Sequence, residues 1–288
     1  MLKRNLVKTG FVGHGFLLLL PNVAAVKSEP LVATKEVRAR LVSSEWRTAD
    51  TLIVQQIIDS AAAPLKADTV MAPQIELNKN AVKFVKGFLK KEDESLRKVR
   101  ERSRTYFKLI DTVLSKYGLP LELKYLAVIE SELKATAVSR VGAKGMWQLM
   151  PTTARELGLK ITKKYDERTN VYRSTVAAAK YLKALHAEFG DWLLVIAAYN
   201  GGPGTVYNAI RKAGTRNFWA LQAHLPMESR AHVKRYIGAH YYFEGKGSLT
   251  TLTRSESLAY ARAVANFQAA SLDPAAKDST DALAATVR

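Results

Sequence analysis

The sequence predicts an all-α, mainly helical fold, and three observations carry that expectation. Apolar residues recur at three-to-four spacing over long stretches instead of alternating. Two segments, 121–129 and 191–199, are apolar nearly all round, as helices buried in a core are. Most Gly and Pro residues stand between the periodic runs, where they end helices. With 288 residues, 48% of them hydrophobic, the chain can bury one full domain core with a small appendage.

Residues 1–25 have the pattern of a cleaved export signal. Lys3, Arg4 and Lys8 precede an apolar run from Phe11 to Leu20, and Val23-Ala24-Ala25 is a small-residue cleavage site. The run is short for a membrane span, so an uncleaved anchor is the lesser reading. This pattern predicts an exported protein of the periplasm or cell envelope. Residues 26–74, punctuated by Pro30, Pro64 and Pro73, read as a linker with an accessory helix at 51–62.

From 78 to 117 the pattern is helical, with Val82, Val85, Phe88 and Leu89 on one face and Leu96 to Leu114 continuing it. Lys90-Lys91-Glu92-Asp93-Glu94 reads as a solvated turn that splits this stretch into two helices. Arg97, Lys98, Arg100, Arg102 and Arg104 fill the polar side, and Gly118 ends it at a position after the cap. Pro120 suits the first position of the next helix, which runs through Leu121, Leu123, Tyr125, Leu126, Ala127, Val128 and Ile129 to Glu130. A carboxyl in such surroundings has its charged form disfavoured and keeps a proton toward neutral pH, which a general acid needs. The competing reading makes Glu130 a half-solvated residue at a helix end, paired with Lys134.

Downstream, 151–157 is a short helix ended by Gly158, and 165–172 is a loop in which Asp166 and Arg168 suit a structural ion pair. Ser174 is the expected cap of an amphipathic helix over 176–189. The buried segment 191–199 breaks at Asn200-Gly201-Gly202-Pro203-Gly204, which sets Tyr199 and Asn200 at its end. Tyr199 reads equally as a core aromatic. Helices follow over 206–213 and 226–243, and Ser255 is the expected cap of one running to Ala270. Residues 272–288 are rich in Ala, Asp and Thr and predict an unstructured tail.

The formal net charge of +18, from 44 Lys+Arg against 26 Asp+Glu, favours polyanionic partners such as an anionic membrane or a negatively charged wall polymer. No nucleic-acid-binding motif is present, and no nucleic acid is expected as partner. The absence of Cys excludes disulfides, thiolate metal sites, cysteine nucleophiles and a Cys-linked lipid anchor. The five His residues show no ligand spacing, so neither metal nor organic cofactor is implied. Around Glu130 the chain supplies amides (Gln148, Asn200) and flat or soft apolar side chains (Trp147, Met150, Tyr199), the mixture that recognises sugars.

Three blocks carry a family resemblance: Ile129-Glu130-Ser131, the run from Ala137 to Pro151 (AVSRVGAKGMWQLMP), and Ala197-Ala198-Tyr199-Asn200-Gly201-Gly202. In order and spacing they resemble the SLT domain, the soluble lytic transglycosylase domain of peptidoglycan-cleaving enzymes. Flanking blocks, Tyr165-Asp166-Glu167-Arg168 and Phe218-Trp219 through Leu225-Pro226-Met227-Glu228, resemble the D type of membrane-bound lytic murein transglycosylase. The likeness spans roughly Ile75 to Glu244, leaving 245–288 outside it.

The resemblance implies a lysozyme-like helical catalytic domain over 75–244 that acts on peptidoglycan glycan strands. Most glycosidases need two carboxylates. Members of this family work with one, which maps to Glu130. Ser139, Gln148, Met150, Tyr199 and Asn200 carry over as substrate-site residues, with Met146 and Trp147 less clearly so. Glu228 also carries over; relatives place a Tyr four residues after it, where this chain has His232, with Tyr236 one turn further on. Either ring is a candidate for that position. A goose-type lysozyme-like hydrolase remains open and would need a second acid such as Glu132 or Asp166. A non-catalytic peptidoglycan-binding protein remains open too.

Overall fold

The computed structural model describes residues 72–272, and these are all-helical. Their only β pairing is three isolated bridges, Val138 with Lys144, Lys144 with Leu149, and Ile161 with Asp166. The export-signal pattern, the linker helix at 51–62 and the tail beyond 272 lie outside the described residues.

Helix α1 (Lys79–Lys116) is a single helix of 38 residues, capped by the Asn78 side chain. The turn expected at 90–94 does not form. That segment contains only Lys, Glu and Asp, with no breaker, and its charges bridge one turn ahead, Asp93 to Arg97 and Glu94 to Lys98. The helix closes as a Schellman motif: Gly118 N–H donates to the Ser115 carbonyl (2.9 Å) and Leu119 N–H to that of Leu114 (3.0 Å).

Pro120 caps a 3₁₀ turn, Leu121–Leu123, which leads into α2 (Lys124–Ser131). A long loop follows, then α3 (Pro151–Glu156) and a 3₁₀ turn at Glu167–Thr169. Helix α4 (Val171–Phe189) starts earlier than the sequence pattern suggests. Its cap is Asn170, not Ser174, which is buried inside the first turn with its hydroxyl on the Asn170 carbonyl (2.7 Å). Helix α5 (Trp192–Gly201) is buried from Trp192 through Ala198. Helices α6 (Pro203–Ala213), α7 (Phe218–Leu221), α8 (Met227–Glu244) and α9 (Arg254–Leu272) complete the order.

The cap of α9 is Thr253 in place of Ser255. The Thr253 hydroxyl accepts from Glu256 N–H, and the Glu256 carboxylate accepts from Thr253 N–H, a reciprocal capping box. One carboxylate also joins two helix starts. Asp191 accepts from the N–H groups of Leu193 and Leu194 at the head of α5, and from that of Arg254 at the head of α9.

The core is built around α5, which packs against α4, α6 and α8; α8 in turn packs on α1 and α2. Gly201 is what lets the end of α5 reach α8, since a Cβ there would stand 2.5 Å from Ser229 Oγ. The C-terminal end of α2, the end of α5 and the middle of α8 therefore converge. No helix among the described residues is long and apolar enough to cross a membrane.

Candidate active site

Glu130 sits in the last turn of α2. Helical backbone ends at once, because Glu132 and Leu133 both take left-handed φ (54° and 62°), a conformation that costs L-residues about 1–2 kcal/mol each. Two anchors hold this turn. The Leu133 side chain is fully buried, and Glu132 turns outward to Lys134 (2.7 Å) and Arg102 (3.2 Å). Lys134 is thus the partner of Glu132, and Glu130 stays inside with its side chain 15% exposed. Its carboxyl is pushed up to about 8 by burial, against the pull of the Arg235 guanidinium and with a further push from the Glu228 carboxylate.

The loop after α2 is shaped from outside by side chains that take its carbonyls. Ser131 Oγ donates to Met146 O (2.8 Å) and Tyr199 Oη to Trp147 O (2.8 Å). One terminal nitrogen of the Arg168 guanidinium donates to Gly142 O (2.7 Å) and Leu149 O (3.0 Å), while its other donors grip Asp166. Asp166, also 3.2 Å from Lys144, is held down to about 2, chiefly by its hydrogen bond from Arg168. The YDER segment is therefore the brace of the loop. Gly145 is its closest point: φ is +84°, and a Cβ would lie 1.9 Å from Arg168 O.

Within the loop the Ser139 hydroxyl accepts from Ala143 N–H (3.0 Å). Gln148, at φ +46°, donates its amide to the carbonyls of Gly145 (2.8 Å) and Ala137 (3.3 Å). Met146 and Trp147 are core residues with no exposure, and the indole N–H of Trp147 donates to Thr175 Oγ1 (2.9 Å). Trp147 is thus no platform for a sugar ring. Exposed apolar surface comes instead from Val138, Val141 and Met150 on the loop and Met227 at the head of α8.

Tyr199, half-buried at the end of α5, combines its two sequence readings. It packs against the core, its hydroxyl holds the loop, and burial with the nearby Glu130 keeps that hydroxyl protonated. Asn200 accepts from Ser229 Oγ (2.9 Å), which ties α5 to α8. On α8, Glu228, His232 and Arg235 share one face, at positions i, i+4 and i+7. Glu228 pairs with Arg235, and His232 Nε2 lies 3.4 Å from Glu130 Oε1.

Of the two candidate rings, His232 faces the acid. Tyr236 is fully buried elsewhere, its hydroxyl donating to Glu122 O (3.2 Å) and accepting from the Thr250 hydroxyl (2.7 Å). Sequence reasoning missed Arg235, although its spacing from Glu228 and His232 signals a shared face. It also missed Ser229. Among the described residues no cluster of ligands could hold a metal.

Residues 109–222 match the family described as the transglycosylase SLT domain. The matched segment is less than half of the chain. It contains Glu130, the braced loop and α5, while His232 and Arg235 lie beyond its matched end. The chain is similar to "Membrane-bound lytic murein transglycosylase D" of Escherichia coli (strain K12), 39% identical over 147 residues, covering 49% of this chain and 32% of that protein. It is also similar to "Membrane-bound lytic murein transglycosylase F" of Maricaulis maris (strain MCS10), 33% identical over 129 residues, covering 41% of this chain and 26% of that protein. The 70 kDa soluble lytic transglycosylase of Escherichia coli, a solved structure, aligns with TM-score 0.46 and 25% identity over 52% of this chain and 26% of that one. The chain thus spans about a third or less of these relatives.

Proposed function

We propose that this chain is a peptidoglycan lytic transglycosylase that cleaves the β-1,4 bond between N-acetylmuramic acid and N-acetylglucosamine without water. The observation that supports this most is the state of the carboxyls at the site. Glu130 is buried and protonated near neutral pH, whereas Glu132 and Asp166 are tied into ion pairs and held below their usual values. One acid stands ready and the two other candidates are spent.

In this reading Glu130 protonates the glycosidic oxygen as the bond to C1 breaks. The carboxylate left behind then takes the proton of the muramic C6 hydroxyl, whose oxygen closes on C1 to give a 1,6-anhydro sugar. Proton count balances and Glu130 is regenerated. Ser139, Gln148, Met150, Tyr199, Asn200 and Glu228 border the strand, and the domain extends over 75–244. An envelope location and contact with an anionic wall or membrane surface fit the charge of +18.

Mass spectrometry of fragments released from purified peptidoglycan tests this. Products one water lighter than hydrolytic ones are expected. Reducing ends would replace the reading with a lysozyme-like hydrolase, and binding without any product would replace it with a wall-binding protein.

A further inference from the structure

The buried face of α8 carries a polar atom that the steps above leave unused. His232 is 2% exposed, and its Nε2, 3.4 Å from Glu130 Oε1, has no hydrogen-bond partner. A buried ring nitrogen left without a partner destabilises the fold. The pair is close enough but not aligned; a small turn and approach of the ring makes the bond, and catalytic hydrogen bonds commonly align and tighten this way when substrate arrives. We propose that His232 is the positioning residue of Glu130, a neutral imidazole whose Nε2–H donates to Oε1. The acid's proton is thereby confined to Oε2. The inference rests on Glu130 being the general acid.

The groups around the pair favour that arrangement. From α2, Glu130 faces the ring. Arg235 and Glu228 flank it on its own helix, and Tyr199 from α5 has its hydroxyl committed to Trp147 O. Burial and the Arg235 guanidinium hold the imidazole down to about 3, so it stays neutral throughout the working range. A protonated His232 would pair with Glu130 as carboxylate and leave no proton to give. A neutral donor leaves the acid charged with its proton. The contact also strengthens at the moment the proton leaves, because a hydrogen bond to a carboxylate is about twice as strong as one to a neutral carboxyl. The interaction therefore favours the transition state over the resting state.

Two measurements decide this. In the first, kcat and KM on peptidoglycan are followed across pH for the wild type, His232→Phe and His232→Gln. Loss of the donor in His232→Phe should lower kcat about 10- to 100-fold with KM little changed. It should also move the alkaline limb to higher pH, since the carboxylate loses a stabilising donor. His232→Gln, which places an N–H near the same point, should restore most of both. A loss confined to KM, or an unmoved limb in a folded variant, overturns the proposal.

The second measurement is ¹⁵N NMR of the histidines in the full chain without substrate, and it stands even if His232→Phe fails to fold. A neutral ring with the proton on Nε2 is expected, with a signal that moves as pH crosses about 8 and stays still in Glu130→Gln. A proton on Nδ1 alone, or an imidazolium, overturns the proposal. A wild type that releases no product would sink the activity reading, and the spectra would still decide the pairing.

Discussion

The loop brace and the α8 face treat charge in opposite ways. In the brace, the Arg168 guanidinium makes four hydrogen bonds, two to Asp166 and two to loop carbonyls, and the carboxylate is held down to about 2. At the α8 face, Glu130 is held up to about 8, and His232 Nε2 and Arg235 Nε are buried without hydrogen-bond partners. The first arrangement lowers the energy of the fold. The second leaves the fold at higher energy and keeps a movable proton. Satisfied polar networks define shape, whereas incompletely satisfied ones in a buried site point to chemistry.

That contrast can be broken experimentally, beginning where the effect is largest. Glu130→Gln should reduce release of soluble fragments at least about a thousandfold while leaving far-UV circular dichroism unchanged. The wild-type rate should fall as pH rises through about 8, where the folded carboxyl loses its proton. The same group makes stability depend on pH. Unfolded, it ionises near 4.5; folded, it keeps its proton to about 8, so the folded state binds the extra proton between those values. Stability should therefore drop as pH rises from 5 to 8, on the order of 2–4 kcal/mol, and urea melts of Glu130→Gln should lack that slope.

In the brace, the costs should fall on stability first. Gly145→Ala forces a Cβ into the Arg168 carbonyl at a left-handed φ, and about 3 kcal/mol of unfolding free energy should be lost in denaturant melts. Arg168→Lys keeps the charge but loses the fork that reaches Asp166 and two carbonyls together, and should cost about 2 kcal/mol. For Asp166 the sign is opposite to that for Glu130. Its contribution is present above the ordinary carboxylate range and is lost as pH falls through about 2. A brace variant that kept full stability yet lost activity would erase the distinction between the two regions. The smallest effect should come far from both. Gly87→Ala in the middle of α1 has open space for its methyl group and should stabilise by about 0.5–1 kcal/mol if α1 is one continuous helix.

Much of this was legible in the chain. The apolar density of 191–199 announced the buried α5, and the break after Asn200 set Tyr199 and Asn200 at a helix end. The helix expected from Pro120, by contrast, begins only at Lys124, after a 3₁₀ turn in which Leu121 is exposed. The errors share a cause. The charge of Lys90 to Glu94 suggests a solvated turn, yet a solvated face of a long helix is equally charged. Ser174 and Ser255 have the residue type of a cap, but Asn170 and Thr253 have the backbone position that capping needs. Trp147 suits a sugar-facing role as an aromatic beside a loop, and only its complete burial excludes it.

By itself the sequence determined the helical class and the order of the elements, and it singled out Glu130 as the candidate acid. Each of these depends on residue type, local spacing or contiguous blocks. Only the tertiary structure decided what surrounds that acid. The choice of His232 over Tyr236 turns on which side of α8 meets α2 and which meets the Leu249–Thr251 turn. The outward turn of Glu132 depends on Arg102, thirty residues earlier in the chain. Proton affinity is set by burial and by charges brought together from distant segments, and no local pattern encodes those distances.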